Sequence, residues 1–114
     1  MPTVRDPNCP CLAAGPQRDA RTRRFVGVDQ ARGRFGDVVT WTCTHCDREW
    51  LRYSVEYEGH SRSGRWFLGV LQDGQTTDAA GAVDVLAGLA WYLAGGSYFG
   101  GGVHRTQGAP AVDL

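Results

Sequence analysis

The chain has 114 residues with twelve acidic and twelve basic side chains, a formal net charge of zero, and every basic residue is arginine. A neutral chain exerts no global pull on nucleic acid or on a membrane surface. A chain of this length points to one domain over 1–114 whose limited core would gain from a metal staple. The absence of lysine fits a coding bias; the competing reading is selection for two-pronged guanidinium contacts to phosphate or carboxylate.

The opening Met1 to Pro10 is polar and proline-rich rather than basic then apolar, so it is expected to be irregular and not a signal peptide. A first thiol pair closes it, in Asn-Cys-Pro-Cys-Leu over 8–12. Ala13 to Ala20 reads as a connecting loop. Arg23 to Val28 reads as a short strand, Asp29 to Gly33 as a turn, and Phe35 to Thr42 as a second strand rich in Val, Thr and Trp. Paired as a hairpin, they deliver the chain to a second thiol pair, in Cys43-Thr44-His45-Cys46.

Beyond Cys46 the pattern has a period of two. Leu51, Tyr53, Val55 and Tyr57 share one face, and Arg52, Ser54, Glu56 and Glu58 the other. The polar segment 58–64 is a loop, and Arg65 to Leu71 is the next strand. The expectation over 1–71 is an antiparallel meander of three to four strands bound to a metal.

Gln72 to Gly74 breaks the sheet. Thr77 or Asp78 can cap a helix, and Ala79, Ala82, Val83, Leu86, Ala90 and Leu93 recur at helical spacing. The helix is expected over 78–94, ending at Gly95 and Gly96. Its other face carries only Ala80, Asp84, Ala87 and Trp91, so it is either sandwiched in its own fold or packed on a second chain. Small residues such as Gly81 and Gly88 would permit close approach in a homo-oligomer. Residues 95–114 form a glycine-rich tail holding Tyr98, Phe99 and His104. Its glycines do not make a phosphate loop, because the run follows a helix and lacks the Lys-Ser/Thr pair. The apolar stretch Ala79 to Leu93 is too short for a bilayer and contains Asp84. The expectation is a soluble cytoplasmic protein with no membrane partner.

In a reducing compartment, paired thiols serve metal more often than disulfides. Cys9, Cys11, Cys43 and Cys46 are the donor set of a four-coordinate site, for which zinc is the leading ion. Iron, free thiols and a disulfide are the competing uses. A Cys-x-x-Cys turn aims both sulfurs inward while its amides donate to them; Cys9-Pro10-Cys11 is one residue tighter. His45 would serve as a ligand only if the tight pair supplied one sulfur. A closed four-thiolate site leaves no position for substrate, which argues against metal-dependent catalysis.

The two thiol knuckles and the aromatic Trp50 beyond the second resemble the zinc ribbon, a fold group found in many transcription, translation and nucleic-acid proteins. The resemblance covers roughly Pro7 to Leu71, with Asp47 standing where a Gly follows the second knuckle. It implies a structural Zn2+ on the four cysteines. The fold class read from the whole chain is α+β: a zinc-ribbon-like sheet, one apolar helix and a glycine-rich tail.

Three functions compete. The leading one is a non-enzymatic binding module, with a protein partner slightly favoured because the chain is neutral and the helix apolar. The second is a nucleic-acid binder using Arg23, Arg24, Arg34, Arg62 and Arg65 with Trp66, in which arginines meet phosphate and the ring stacks a base. Against it, the N-terminal arginines also suit a solvated edge strand guarded by charge. The third is a small enzyme using Glu56, Glu58 and His60, with His104, provided those groups converge.

Overall fold

In the computed structural model, which describes residues 7–113, the chain folds around a single antiparallel sheet whose strands follow one another in chain order. They are β1 (Arg21–Asp29), β2 (Gly36–Cys43), β3 (Glu49–Val55), β4 (Arg65–Val70), β5 (Tyr92–Gly95) and β6 (His104–Thr106), with every neighbouring pair antiparallel. Two short helices accompany it, α1 (Cys11–Ala14) and α2 (Ala82–Gly88). The α+β class holds. The expected irregular start falls, over residues 1–6, outside the described residues.

The sheet is buried on both faces, and alternation along each strand sorts the side chains. One face carries Val38, Leu51, Tyr53 and Phe67, and α2 lies on it through Ala82 and Leu86. The other carries Cys43, Trp50, Leu68 and Leu93, and the N-terminal segment lies on it through Cys9, Cys11 and Leu12. Each fully buried large side chain here contributes about 1.5–3 kcal/mol relative to an exposed one. Gly69 on β4 permits the helix layer to settle. A Cβ there would stand 3.1 Å from Leu86 Cδ2 and 3.2 Å from Tyr92 Cβ, and would overlap Leu89 Cδ1.

The structure corrects three expectations. The sheet has six strands rather than three to four. The helix is not 78–94: Asp78 Oδ1 accepts the Gly81 amide at 2.8 Å, regular helix runs only over Ala82–Gly88, and Leu89 is already extended. Leu93, Ala94 and Gly95 pair with β4 instead, and all three are buried. The glycine-rich tail is not a loose appendage either. It contributes β6, and Phe99 packs edge-on to Phe67 with ring centroids 6.1 Å apart. α2 packs on the chain's own sheet through Ala82 and Leu86, with Val83 and Val85 partly buried against the same core.

Polar groups pin the C-terminal segment across the end of the sheet. Arg65, 2 % exposed, donates from Nη1 to the Ala111 carbonyl at 2.9 Å, and Tyr57 Oη donates to the Val112 carbonyl at 2.6 Å. Arg34 donates to Asp113 through Nε at 2.7 Å and Nη2 at 2.9 Å. Those hydrogen bonds hold the Asp113 carboxyl below its ordinary range. A depressed folded value means that the contribution is present above the unfolded value of about 3.9 and is lost as pH falls through the folded one. Asp113 is 43 % exposed, so solvent screening limits the pair to about 1 kcal/mol or less. NMR resonances of Val112 and Asp113 are therefore expected to shift together at acid pH while those of β2 and β3 stay in place; concerted loss of the sheet signals would contradict this.

Candidate metal centre

The site is built by two turns meeting at one end of the sheet. The hairpin β1–β2 places Cys43 as the last residue of β2, paired across the ladder with Arg21. The chain then turns tightly: the Asp47 amide donates to the Cys43 carbonyl at 2.9 Å, and the Cys43 amide to the Arg48 carbonyl at 2.9 Å. Asp47 occupies the position after the knuckle in a left-handed conformation, φ 60°. Aspartate tolerates that conformation better than most residues, which explains how it stands where a Gly would. Opposite, the Leu12 amide donates to the Cys9 carbonyl at 3.1 Å, and α1 starts at Cys11. This helical turn is what lets the tighter first pair bring both sulfurs to one side.

All four cysteines are buried, and their sulfurs lie within 4.8 Å of one another. Cys9 Sγ stands 3.8 Å from Cys43 Sγ, and Cys11 Sγ stands 3.6 Å from Cys46 Sγ. A tetrahedron with zinc–sulfur bonds of about 2.3 Å has edges of about 3.8 Å. The donor set and its spacing are thus compatible with a tetrahedral zinc ion. None of the four thiols is in a disulfide.

Electrostatics around the sulfurs are uneven. Burial pushes the Cys46 thiol up, but hydrogen bonds from the Arg48 backbone and side chain, with those from Cys11 and Cys9, outweigh it and bring it down to about 7. Burial and the three neighbouring sulfurs push Cys11 up. A metal reverses such mutual repulsion by binding the thiolates directly. Arg48 is the functional residue that sequence reasoning missed; its signal was a cation two positions after the last ligand. Outer partners of this kind typically change metal affinity 10–100-fold. Arg48→Ala is expected to weaken zinc binding by about that factor in a competition titration with a chromophoric chelator, and an unchanged affinity would remove Arg48 from the site.

The other candidates are not gathered there. His45 is exposed in the turn, and the four sulfurs converge without it. Among the described residues, the cysteines are the one group of three or more Cys, His, Asp or Glu with mutually close ligand atoms. Glu56, Glu58 and His60 are exposed along the loop after β3, while His104 lies on β6 against Phe99 at 4.8 Å. Of the proposed phosphate contacts, Arg65 and Arg34 are held by internal partners, and Arg62 is exposed in the 56–64 loop. Arg23 and Arg24 are exposed on opposite faces of β1, and Trp66 is half-buried on β4. No helix among the described residues is long and apolar enough to cross a membrane.

Fold and site together define a small α+β domain with a buried cluster of four cysteines at one end of its sheet. No family model, curated protein or solved structure matches the chain.

Proposed function

We propose that the chain is a small zinc-stabilised, non-enzymatic binding module in which the ion ties the N-terminal segment to the sheet and the sheet presents the recognition surface. One observation carries this reading: four buried sulfurs from two distant segments lie within 4.8 Å of each other. Cys9, Cys11, Cys43 and Cys46 would hold the zinc, which supplies four strong bonds and no open coordination position. Four reduced thiols suit a reducing compartment such as the cytoplasm. The cluster also sits inside an apolar shell that includes Trp50, Leu68 and Leu93, where water has little access to the sulfurs.

Cobalt substitution tests the reading. One equivalent of Co2+ added to the reduced, metal-free chain is expected to give the intense visible and near-ultraviolet bands of a tetrahedral four-thiolate centre. Added azide or cyanide is expected to leave those bands unchanged. A spectrum that responds to the anion would mean an open coordination position and would favour an enzyme instead.

A further inference from the structure

The N-terminal segment covers only one end of its sheet face. The rest of that face is more accessible, with Arg23 exposed and Trp41, Arg52 and Trp66 half-buried, and it combines aromatic rings with an arginine that has no ion pair. Arg52 on β3 sits diagonally between Trp41 on β2 and Trp66 on β4, its guanidinium carbon 5.3 Å from one ring centre and 5.8 Å from the other. Arg21 stacks on Trp41 at 3.6 Å. Arg52 is half-buried, yet it makes no hydrogen bond or ion pair with any described residue. Burial and the neighbouring Arg21 and Arg23 all disfavour its charge, with Asp37 the opposing influence. A desolvated cation beside two more cations is costly without an anion to meet it.

A second observation lies alongside. Phe35 is 66 % exposed and has φ 53°, a left-handed conformation costly for a bulky side chain. Its ring lines a cavity of about 420 Å³ together with Trp66, and Ser54, Asp37 and Glu56 supply polar atoms at the walls. Aromatic walls with hydrogen-bond acceptors between them suit a nucleobase, whereas the adjoining arginines suit phosphate.

We infer that this more accessible half of the sheet face binds single-stranded nucleic acid, one base entering the cavity between Phe35 and Trp66 and the backbone phosphates crossing Arg52, Arg23 and Arg21. This rests on the binding-module reading and names its partner. The face differs from the arginine set read from the sequence: Arg34 and Arg65 drop out because they hold the C-terminal segment, and Arg52 enters because β3 carries it beside the two tryptophans. Stacking tolerates any base, so the contact is expected to show little sequence preference.

The test is fluorescence anisotropy of a labelled oligothymidine of about 12 nucleotides, titrated with zinc-loaded protein, with bound zinc measured in every sample. Three phosphate contacts predict a slope of log affinity against log salt near −2, which is roughly a 20-fold loss between about 50 and 200 mM salt. Arg52→Gln is expected to make that slope shallower by about 0.7. Phe35→Ala, at an exposed position the fold does not need, is expected to weaken binding roughly tenfold with the slope unchanged. A duplex or a mononucleotide is expected to bind far more weakly. No anisotropy change, or binding that both variants leave intact, overturns the inference. So does heparin competition with a Phe35→Ala variant indistinguishable from the parent, since that marks a general polyanion contact. A concentration-dependent dimer that buries Trp66 assigns the face to a second copy and likewise overturns it. Failure with one zinc per chain retained sinks this inference alone, whereas samples lacking zinc sink the module reading.

Discussion

Replacing Cys43 with serine is expected to strip the chain of its metal and to lower its melting temperature by roughly 15 °C or more. The reason is a comparison of magnitudes. Structural zinc sites contribute about 10–16 kcal/mol of binding free energy in small peptides at neutral pH, while a whole domain is stable by only about 5–15 kcal/mol. Cys43 is 1 % exposed, so the variant loses a thiolate and also buries a hydroxyl among Trp50, Leu68 and Leu93. The unpaired hydroxyl alone costs about 1–3 kcal/mol. The two contributions separate by experiment. A chelator added to the reduced parent is expected to bring its melting temperature down most of the way to that of Cys43→Ser, and to leave the variant unmoved. A variant that melts within a few degrees of a chelator-insensitive parent would mean that the sulfurs pack as ordinary apolar groups and hold no ion.

The second large effect is expected far from the metal, at Asp29. Its side chain is fully buried at the end of β1 and accepts three hydrogen bonds: Tyr53 Oη at 2.7 Å, the Ala31 amide at 3.0 Å and Arg34 Nη1 at 3.3 Å. Burial pushes the Tyr53 phenol up, and its donation to Asp29 adds to that, so it remains a donor at neutral pH. Arg34, whose side chain is only 10 % exposed, links the carboxylate onward to Asp113. Asp29→Ala leaves the buried Tyr53 hydroxyl and Arg34 Nη1 without their acceptor, while Arg34 keeps its two hydrogen bonds to Asp113. Each buried group left unsatisfied costs about 1–3 kcal/mol, so a loss of about 3 kcal/mol is the expected result in urea unfolding. Tyr53→Phe removes one donor and leaves Asp29 its pairing with Arg34, so about 1–2 kcal/mol is expected. The double variant should fall short of the sum of the two, because both act through one carboxylate. Additive losses would show that the groups stabilise the fold separately.

The parts legible in the sequence were those with a local cause. The period of two over Leu51, Tyr53 and Val55 marked a strand with one buried row, and those three residues are buried on β3. The paired thiols marked a cluster, and all four sulfurs converge. What escaped has a tertiary cause. Residues 82–94 are apolar nearly throughout, and a strand buried on both faces carries the same run of apolar residues as a buried helix. The pairing of Leu93–Ala94–Gly95 with β4 decides the matter, and it is not visible before β4 is in place. β6 has no apolar row to announce it, because His104 and Arg105 are exposed at an edge. Arg65 looked like a phosphate contact because its neighbours are polar; its real partners, the carbonyls of Ala111 and Asp113, are more than forty residues away.

The hold of one ion on two distant stretches of chain is tested most directly by weighing the intact protein. Native mass spectrometry of reduced, freshly purified material, with elemental analysis of the same sample, is expected to find one zinc per chain, lost on acidification as the sulfurs take up protons. A mass equal to the bare polypeptide with no transition metal in the sample would contradict the account, and iron in place of zinc would contradict its choice of ion.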